Sequence, residues 1–385
     1  MLQTLKIAHT VALSRAKDRA LGLTRRTHAQ DCNDLCKSLE FELKPYAAAI
    51  DIDPQLHENA YQRKEQDHFS KTHSPNLVAD FEYYGAVYSN ASVHTDAASH
   101  VSVYDANKCL VENFTSVRYI GANKILTRKC SSHVGGTTLH LSALVAGMNG
   151  NYAHWLLDLL GRLVLIEDRS VSKIRFDKLL IPAGVPAFRE SLSALGIGDE
   201  RTVELEANKP LQFEKLVCIS PPRGYSSFFT PGWLIDGYRK RFSGAVESPN
   251  KRQRKLYISR KDARTRKFRQ ESALYDRLQS KGYESIELSE FGFYEKAELF
   301  ATATNVIGLS GAGMMSVMFC APGTQVVELF PSNFVNYQYA SICSALNHSH
   351  HAFVFPNNSL KSKLTRYSGK FDLDVDNFIS FLDGL

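Results

Sequence analysis

The chain has no apolar run near the ~20 residues needed to cross a bilayer, so no membrane-spanning helix is expected. Cysteine is sparse, with seven scattered residues and an odd count. Cys32 and Cys36 are spaced CxxxC with no second pair, which argues against a disulfide framework or a zinc site, and no metal ligands are expected. Internal repeats and low-complexity tracts are also missing. The first 26 residues carry too many charges for a secretory signal. The cysteines therefore read as reduced and the location as cytoplasmic. What remains is a globular composition, 44% apolar and 22% charged in 385 residues, with a net charge of +6. That is enough chain for two or three domains.

The first 26 residues can form an amphipathic helix with Lys6, Arg15, Lys17, Arg19, Arg25 and Arg26 on its polar side. It either packs on the protein or lies on an anionic membrane surface. Residues 1–75 read as a helical, peripheral segment. Residues 76–235 read as a first α/β domain, with short β-type runs followed by alternating strand and helix. Pro221, Pro222, Gly224, Pro231 and Gly232 punctuate the passage to the next domain, 236–370. There a β/α repeat builds a doubly wound sheet. Residues 371–385 read as a closing helix returning to the first domain.

Four stretches carry chemistry. In NYAHWLLDLLGRLVLIE, Asn151, His154, Asp158 and Arg162 interrupt an otherwise apolar helix and fall within roughly 80° of arc at α-helical spacing. Asn151 caps the helix, and Gly161 beside the stripe leaves room for a ligand. The stripe is either a proton-transfer site, with His154 or Asp158 as the base, or an i, i+4 Asp158–Arg162 ion pair beside a buried histidine. In NVIGLSGAGMMSV, a strand ends at Ser310 and Gly311, Ala312 and Gly313 open a helix, where free N–H groups suit phosphate. The turn lacks both GxGxxG spacing and a P-loop lysine. Residues 251–269 hold ten Lys or Arg and one acid. Arg260 follows a strand, with Arg264, Arg266 and Lys267 near the same edge, a pattern suited to clamping a diphosphate. Binding of nucleic acid is the alternative, weakened by the scarcity of interleaved aromatics. Glu328 is placed at a strand's C-terminal edge, where a carboxylate can hold ribose hydroxyls. His348, His350 and His351 suggest metal, but adjacent strand residues point apart.

In order, these stretches resemble glycosyltransferase family 61. NYAHWLLDLLGRL, with Trp155, resembles its Asn-x-x-His-Trp-x-x-Asp-x-x-x-Arg block. YISRKDARTRKFRQE resembles its Tyr-(Ile/Val)-Ser-Arg block, with Arg260, Ala263, Arg266 and Glu271 in place and Gln270 where Asn is usual. VIGLSGAGMMSVMFCAPGTQVVEL resembles its His-Gly-Ala-Gly-Leu block, with Ser310 in place of His and Ser316 in place of Asn. The resemblance implies a GT-B-like α/β fold, two Rossmann-like domains facing across a cleft. It implies inverting transfer from a nucleotide sugar, UDP-linked and without metal, to a glycan or glycolipid acceptor. The bacterial capsular-polysaccharide branch would place this at the inner membrane face. His154 and Asp158 are then the catalytic candidates. Arg260, Arg264, Arg266, Lys267, Ser310, Gly311, Ala312, Gly313 and Glu328 bind the donor, and Asn151, Trp155 and Arg162 support the acceptor side. Because Ser310 cannot carry the charge of an imidazolium, a catalytically degenerate binding subunit is the rival reading.

Overall fold

The computed structural model describes residues 26–27, 37–42, 46–51, 76–81, 83–96, 100–111, 114–115, 129–142, 151–169, 174–223, 229–242, 254–263, 266–332, 334–356 and 370–385. The chain divides into two compact units, Met1–Tyr46 with Asp80–Ser226, and Ala47–Ala79 with Ser227–Leu385.

The first unit is built on a nine-stranded sheet. Its strands are β1 (Arg26–Thr27), β2 (Lys37–Glu42), β3 (Tyr84–Thr95), β4 (Val101–Tyr104), β5 (Leu110–Val111), β6 (Ser132–His140), β7 (Lys178–Pro182), β8 (Thr202–Leu205) and β9 (Leu211–Ile219). The order is β1-β5-β4-β3-β9-β6-β7-β8, with β2 also pairing β3. β3 runs antiparallel to β2, β4 and β9, whereas β9, β6, β7 and β8 are mutually parallel. The sheet is therefore mixed, not the all-parallel Rossmann sheet expected of both domains. The helical reading of residues 1–75 also fails where it can be examined, since 26–27, 37–42 and 46–51 are strands. β2 reads Lys-Ser-Leu-Glu-Phe-Glu, a period-two alternation that suits a strand. The amphipathic helix expected over residues 1–26 falls, except for Arg26, outside the described residues.

A helical segment crosses from β6 to β7. It comprises α1 (Tyr152–His154), a π turn (Trp155–Leu160) and α2 (Gly161–Arg169). Helix α3 (Pro186–Ala194) starts with proline in its first turn, where the missing N–H costs nothing. Trp155 fastens the segment to α3. Its indole stacks on Phe188 at 4.1 Å between centroids and donates to Ser191 Oγ at 2.7 Å.

The second unit carries five parallel strands: β10 (Arg254–Ile258), β11 (Tyr283–Ile286), β12 (Ala303–Leu309), β13 (Gln325–Pro331) and β14 (Ser349–Phe355). Their order, β11-β10-β12-β13-β14, is a 2-1-3-4-5 doubly wound arrangement. Its helices are α4 (Gly232–Arg241), α5 (Glu271–Gln279), α6 (Phe293–Ala301), α7 (Gln338–Ala345) and α8 (Val375–Asp383). Gly282, at φ +83°, allows the left-handed turn after α5. On one sheet face Tyr257, Ile307, Val327 and Phe353 join Leu274, Phe378 and Ile379 in a core cluster. The closing helix α8 packs within its own unit, tied to α5 by Arg277–Asp376 and Lys281–Asp383. On the other face, where an α-helix is expected after Gly313, the chain makes a 3-10 helix (Ala312–Phe319). Arg239 of α4 bonds the carbonyls of Met318 and Cys320 at its end.

Candidate active site

In the first unit the site starts at Asn151, whose side chain accepts from the N–H groups of Ala153 and His154 at 3.0 and 3.2 Å. This cap satisfies two orphan donors and fixes where the helix begins. The π turn follows at once. It buries Trp155, Leu156, Leu157, Leu159 and Leu160 and leaves Asp158 as its one partly exposed member. His154 Nδ1 lies 2.5 Å from Asp158 Oδ2.

The expected stripe does not continue to Arg162. A π turn, bonding i to i+5, covers residues 155–160, and the side chain of Arg162 turns inward. Arg162 is buried and donates to the carbonyls of His140 and Ser142 at 3.3 and 2.7 Å, anchoring α2 to the end of β6. Gly161 is also buried. Asp158 pairs instead with Arg223, which donates from Nε to Oδ1 at 2.8 Å and from Nη2 to Oδ2 at 2.6 Å. In the sequence Pro221, Pro222 and Gly224 read as domain punctuation, and no motif spacing singles out Arg223 between them. The signal available was an arginine held rigidly by two prolines.

Burial alone would push the Asp158 carboxyl up. The Arg223 charge and the bonds from His154 and Arg223 outweigh it and hold the group well below the usual carboxylate range. Beneath the helix, His140 contacts Ser142 Oγ and lies 4.0 Å from Cys218 Sγ. Burial, followed by the Arg162 charge, pushes its ring well below the usual histidine value and keeps it neutral.

In the second unit Arg260 and Gly311 follow β10 and β12, the pair of strands between which the strand order reverses. Open α/β sheets bind ligands outside the carboxyl ends of strands at such a point. Glu271, at the start of α5, organises the first edge. Its Oε1 accepts from Arg260 N at 2.7 Å, Ser259 Oγ at 2.8 Å and Tyr257 Oη at 3.3 Å. Arg260 Nε donates to the Arg266 carbonyl at 2.9 Å, and Arg266 Nη1 donates to the Ser310 carbonyl at 2.7 Å. Arg266 sits at φ +57°, a left-handed conformation uncommon for a residue with a side chain, and its guanidinium lies 5.7 Å from the Phe334 ring centroid.

Both guanidinium groups converge on Gly311. A Cβ there would stand 2.7 Å from Arg260 Nη1 and 3.4 Å from Arg266 Nη2. Tyr339 Oη donates to the Gly311 carbonyl at 2.6 Å and pins the turn from α7. Burial, followed by the Arg266 charge, lowers Arg260 to about 10. Two cations crowded at one turn are a setting that an anion relieves.

The remaining donor candidates are placed differently. A Cβ on Gly313 would meet Leu288 Cδ1 at 2.8 Å, so this glycine permits close packing of the 3-10 helix whose first residue is Ala312. Lys267 Nζ donates to the Lys261 carbonyl at 2.5 Å. Arg264 lies outside the described residues. Elsewhere in the basic block, Arg254 pairs with Glu284 and Arg269 with Asp372. Ser310 is buried, with its N–H on the Leu329 carbonyl at 2.9 Å.

Glu328 is not at a strand edge. It is the middle residue of β13, in register with Gly308 and Ala352, and wholly buried. These two small neighbours give its carboxylate space, and His350 Nε2 lies 3.1 Å from Oε2. His351 points the other way, to Ser349 Oγ at 2.7 Å. Among the described residues no group of three His, Cys, Asp or Glu is disposed to hold a metal.

Burial pushes the Glu328 carboxyl up, against smaller opposing effects of His350, Ser310 and Arg266. A carboxyl raised by folding binds its proton more tightly in the native state. Its contribution to stability is therefore greatest below the usual carboxylate value and declines as pH rises through the raised one. In thermal melts Glu328→Gln is expected to gain on wild type steadily as pH rises from about 4 toward 7. A pH-independent difference would refute that assignment.

Residues 152–327, from the first turn of the capped helix to the middle of β13, match the family model Glycosyltransferase 61. No curated protein matches the chain. The matched segment, a little under half of the chain, holds His154, Asp158, Arg223, Arg260, Arg266 and Gly311, and over it the chain is similar to glycosyltransferase family 61, a family of sugar transferases.

Proposed function

We propose that the protein is an inverting, metal-independent glycosyltransferase of GT-B type. It would transfer a sugar from a UDP-linked donor to a glycan or lipid-linked glycan at the inner face of a bacterial membrane, in surface polysaccharide synthesis. The observation that carries this reading is the convergence of Arg260 and Arg266 on Gly311 at the switch point of a 2-1-3-4-5 sheet. Forked donors beside a turn without a side chain suit a diphosphate, and their charge stabilises it as it departs. The His154–Asp158 pair supplies the other requirement, a group to take the acceptor hydroxyl proton. In an inverting displacement the acceptor oxygen bonds to the anomeric carbon as the bond to the diphosphate oxygen breaks. The nucleoside diphosphate leaves with that electron pair.

The rival binding-subunit reading keeps the arginine cradle and drops the proton transfer, and the intact His154–Asp158 contact favours the enzyme. Thermal shift against UDP-, GDP-, CMP- and TDP-linked sugars tests donor binding, with UDP sugars expected to stabilise most. Gly311→Ala places a methyl group against the far end of Arg260. It is expected to leave the melting temperature within a few degrees while weakening nucleotide-sugar binding at least tenfold, about 1.4 kcal/mol. Unchanged binding in this variant would remove the cradle from the donor site.

A further inference from the structure

Resting on the transfer reading, we propose that Arg223 is a positioning residue. It holds Asp158 as a carboxylate and so leaves His154 Nε2 as the atom that takes the acceptor proton.

The argument starts from the hydrogen-bond inventory. Asp158 accepts from Arg223 at both oxygens, 2.8 and 2.6 Å, and meets His154 Nδ1 at 2.5 Å on Oδ2. Protonating that carboxyl would break a bidentate charge-assisted pair, which makes Asp158 a poor base. A ring nitrogen held against a carboxylate oxygen carries the hydrogen. A neutral imidazole has only one N–H, so Nε2 bears the lone pair. Among the described residues Nε2 bonds nothing, and the His154 side chain keeps 17% of its surface exposed.

Arg223 also acts on the ring through charge. Its Nη2 lies 3.5 Å from His154 Nδ1. Asp158 alone beside His154 would favour a standing imidazolium–carboxylate pair, with no capacity left for a proton. The guanidinium holds the carboxylate in place and offsets its charge. Among the described residues the charged groups in contact with His154 are Asp158 and Arg223. From α3, Glu190 acts on Tyr152. During transfer the acceptor O–H proton moves to Nε2, the acceptor oxygen bonds to the anomeric carbon, and the diphosphate departs with the bonding pair. The resulting imidazolium is stabilised by Asp158.

The position of Arg223 is built in. Pro221 and Pro222 restrict the backbone before it. Tyr83 Oη donates to the Pro222 carbonyl at 3.0 Å, and Ser220 bonds Tyr84 through its N–H and its Oγ, at 2.9 and 3.2 Å. The side chain is 1% exposed, so it contacts neither solvent nor a ligand directly.

The test is nitrogen-15 NMR of the histidine-labelled full chain, with His154 assigned by its loss in His154→Gln. Because it uses ligand-free protein, it stands apart from the donor panel that tests the transfer reading. Wild type is expected to show His154 in the Nδ1–H tautomer. In steady-state transfer, Arg223→Met is expected to lower kcat at least tenfold with the donor KM unchanged, and Arg223→Lys to restore most of the loss. An Nε2–H tautomer in wild type would overturn the proposal even if Arg223→Met failed to fold. So would an unchanged kcat in a folded Arg223→Met.

Discussion

His154→Ala is expected to lower turnover by about 10²–10⁴-fold, the usual contribution of a positioned proton acceptor. The melting temperature should change little. The imidazole is partly exposed, and its removal leaves the Asp158–Arg223 pair and the Asn151 cap intact. Donor binding should also persist, since the arginine cradle belongs to the second unit. The loss should therefore fall on kcat and not on the donor KM. Donor consumption measured beside a thermal melt checks both halves of the expectation. Near-normal kcat in a folded His154→Ala protein would dismiss the ring from the chemistry.

The second large effect is on stability. Asp158→Asn leaves the Arg223 guanidinium, 1% exposed, without its counter-charge. Removing one member of a buried pair costs about 3–5 kcal/mol, a large share of the margin of an ordinary domain. The pH dependence has a definite sign. A carboxyl whose folded value lies below its unfolded one adds stability above the usual carboxylate range, and that stability is lost as pH falls through the folded value. Denaturant unfolding at pH 7 is expected to show the deficit, and acidification should narrow it. Adding Arg223→Met to Asp158→Asn should recover part of the loss, because the pair is then removed as a unit. A stable Asp158→Asn protein would mean that solvent reaches Arg223 and the pair is not buried in effect. Activity comparisons at Asp158 need this control, since an unfolded variant also turns over nothing.

The second unit was legible because its strands carry β-branched runs and its helices are bounded by recognisable signals, such as Gly282 after α5 and the N-cap Asp374 before α8. Each β/α boundary therefore announces itself locally. The first unit was harder. A mixed sheet built from long-range pairs, β9 with β3 above all, leaves no local trace of strand order. The His154–Asp158 contact was visible because four residues bring two side chains together on any helical turn. Arg223 lies 65 residues from Asp158, and no spacing rule reaches that far. Glu328 was misplaced because the apolar run around it looks the same whether the acid is central or terminal. Only its register with Gly308 and Ala352 reveals the space made for it. The basic block misled by quantity. Of its cations, Arg260 and Arg266 gather at the glycine turn, while Arg254 and Arg269 serve surface ion pairs.

The wide turn at 155–160 makes segment length a chemical variable. Removing a residue ahead of Asp158 would let the backbone relax into a regular spiral and bring imidazole and acid from four residues apart to three, whereas removing Leu159 or Leu160 would leave their spacing untouched. A related chain can therefore keep the histidine and aspartate letters with a one-residue gap in this turn, and how the two side chains meet then depends on which side of the acid the gap falls.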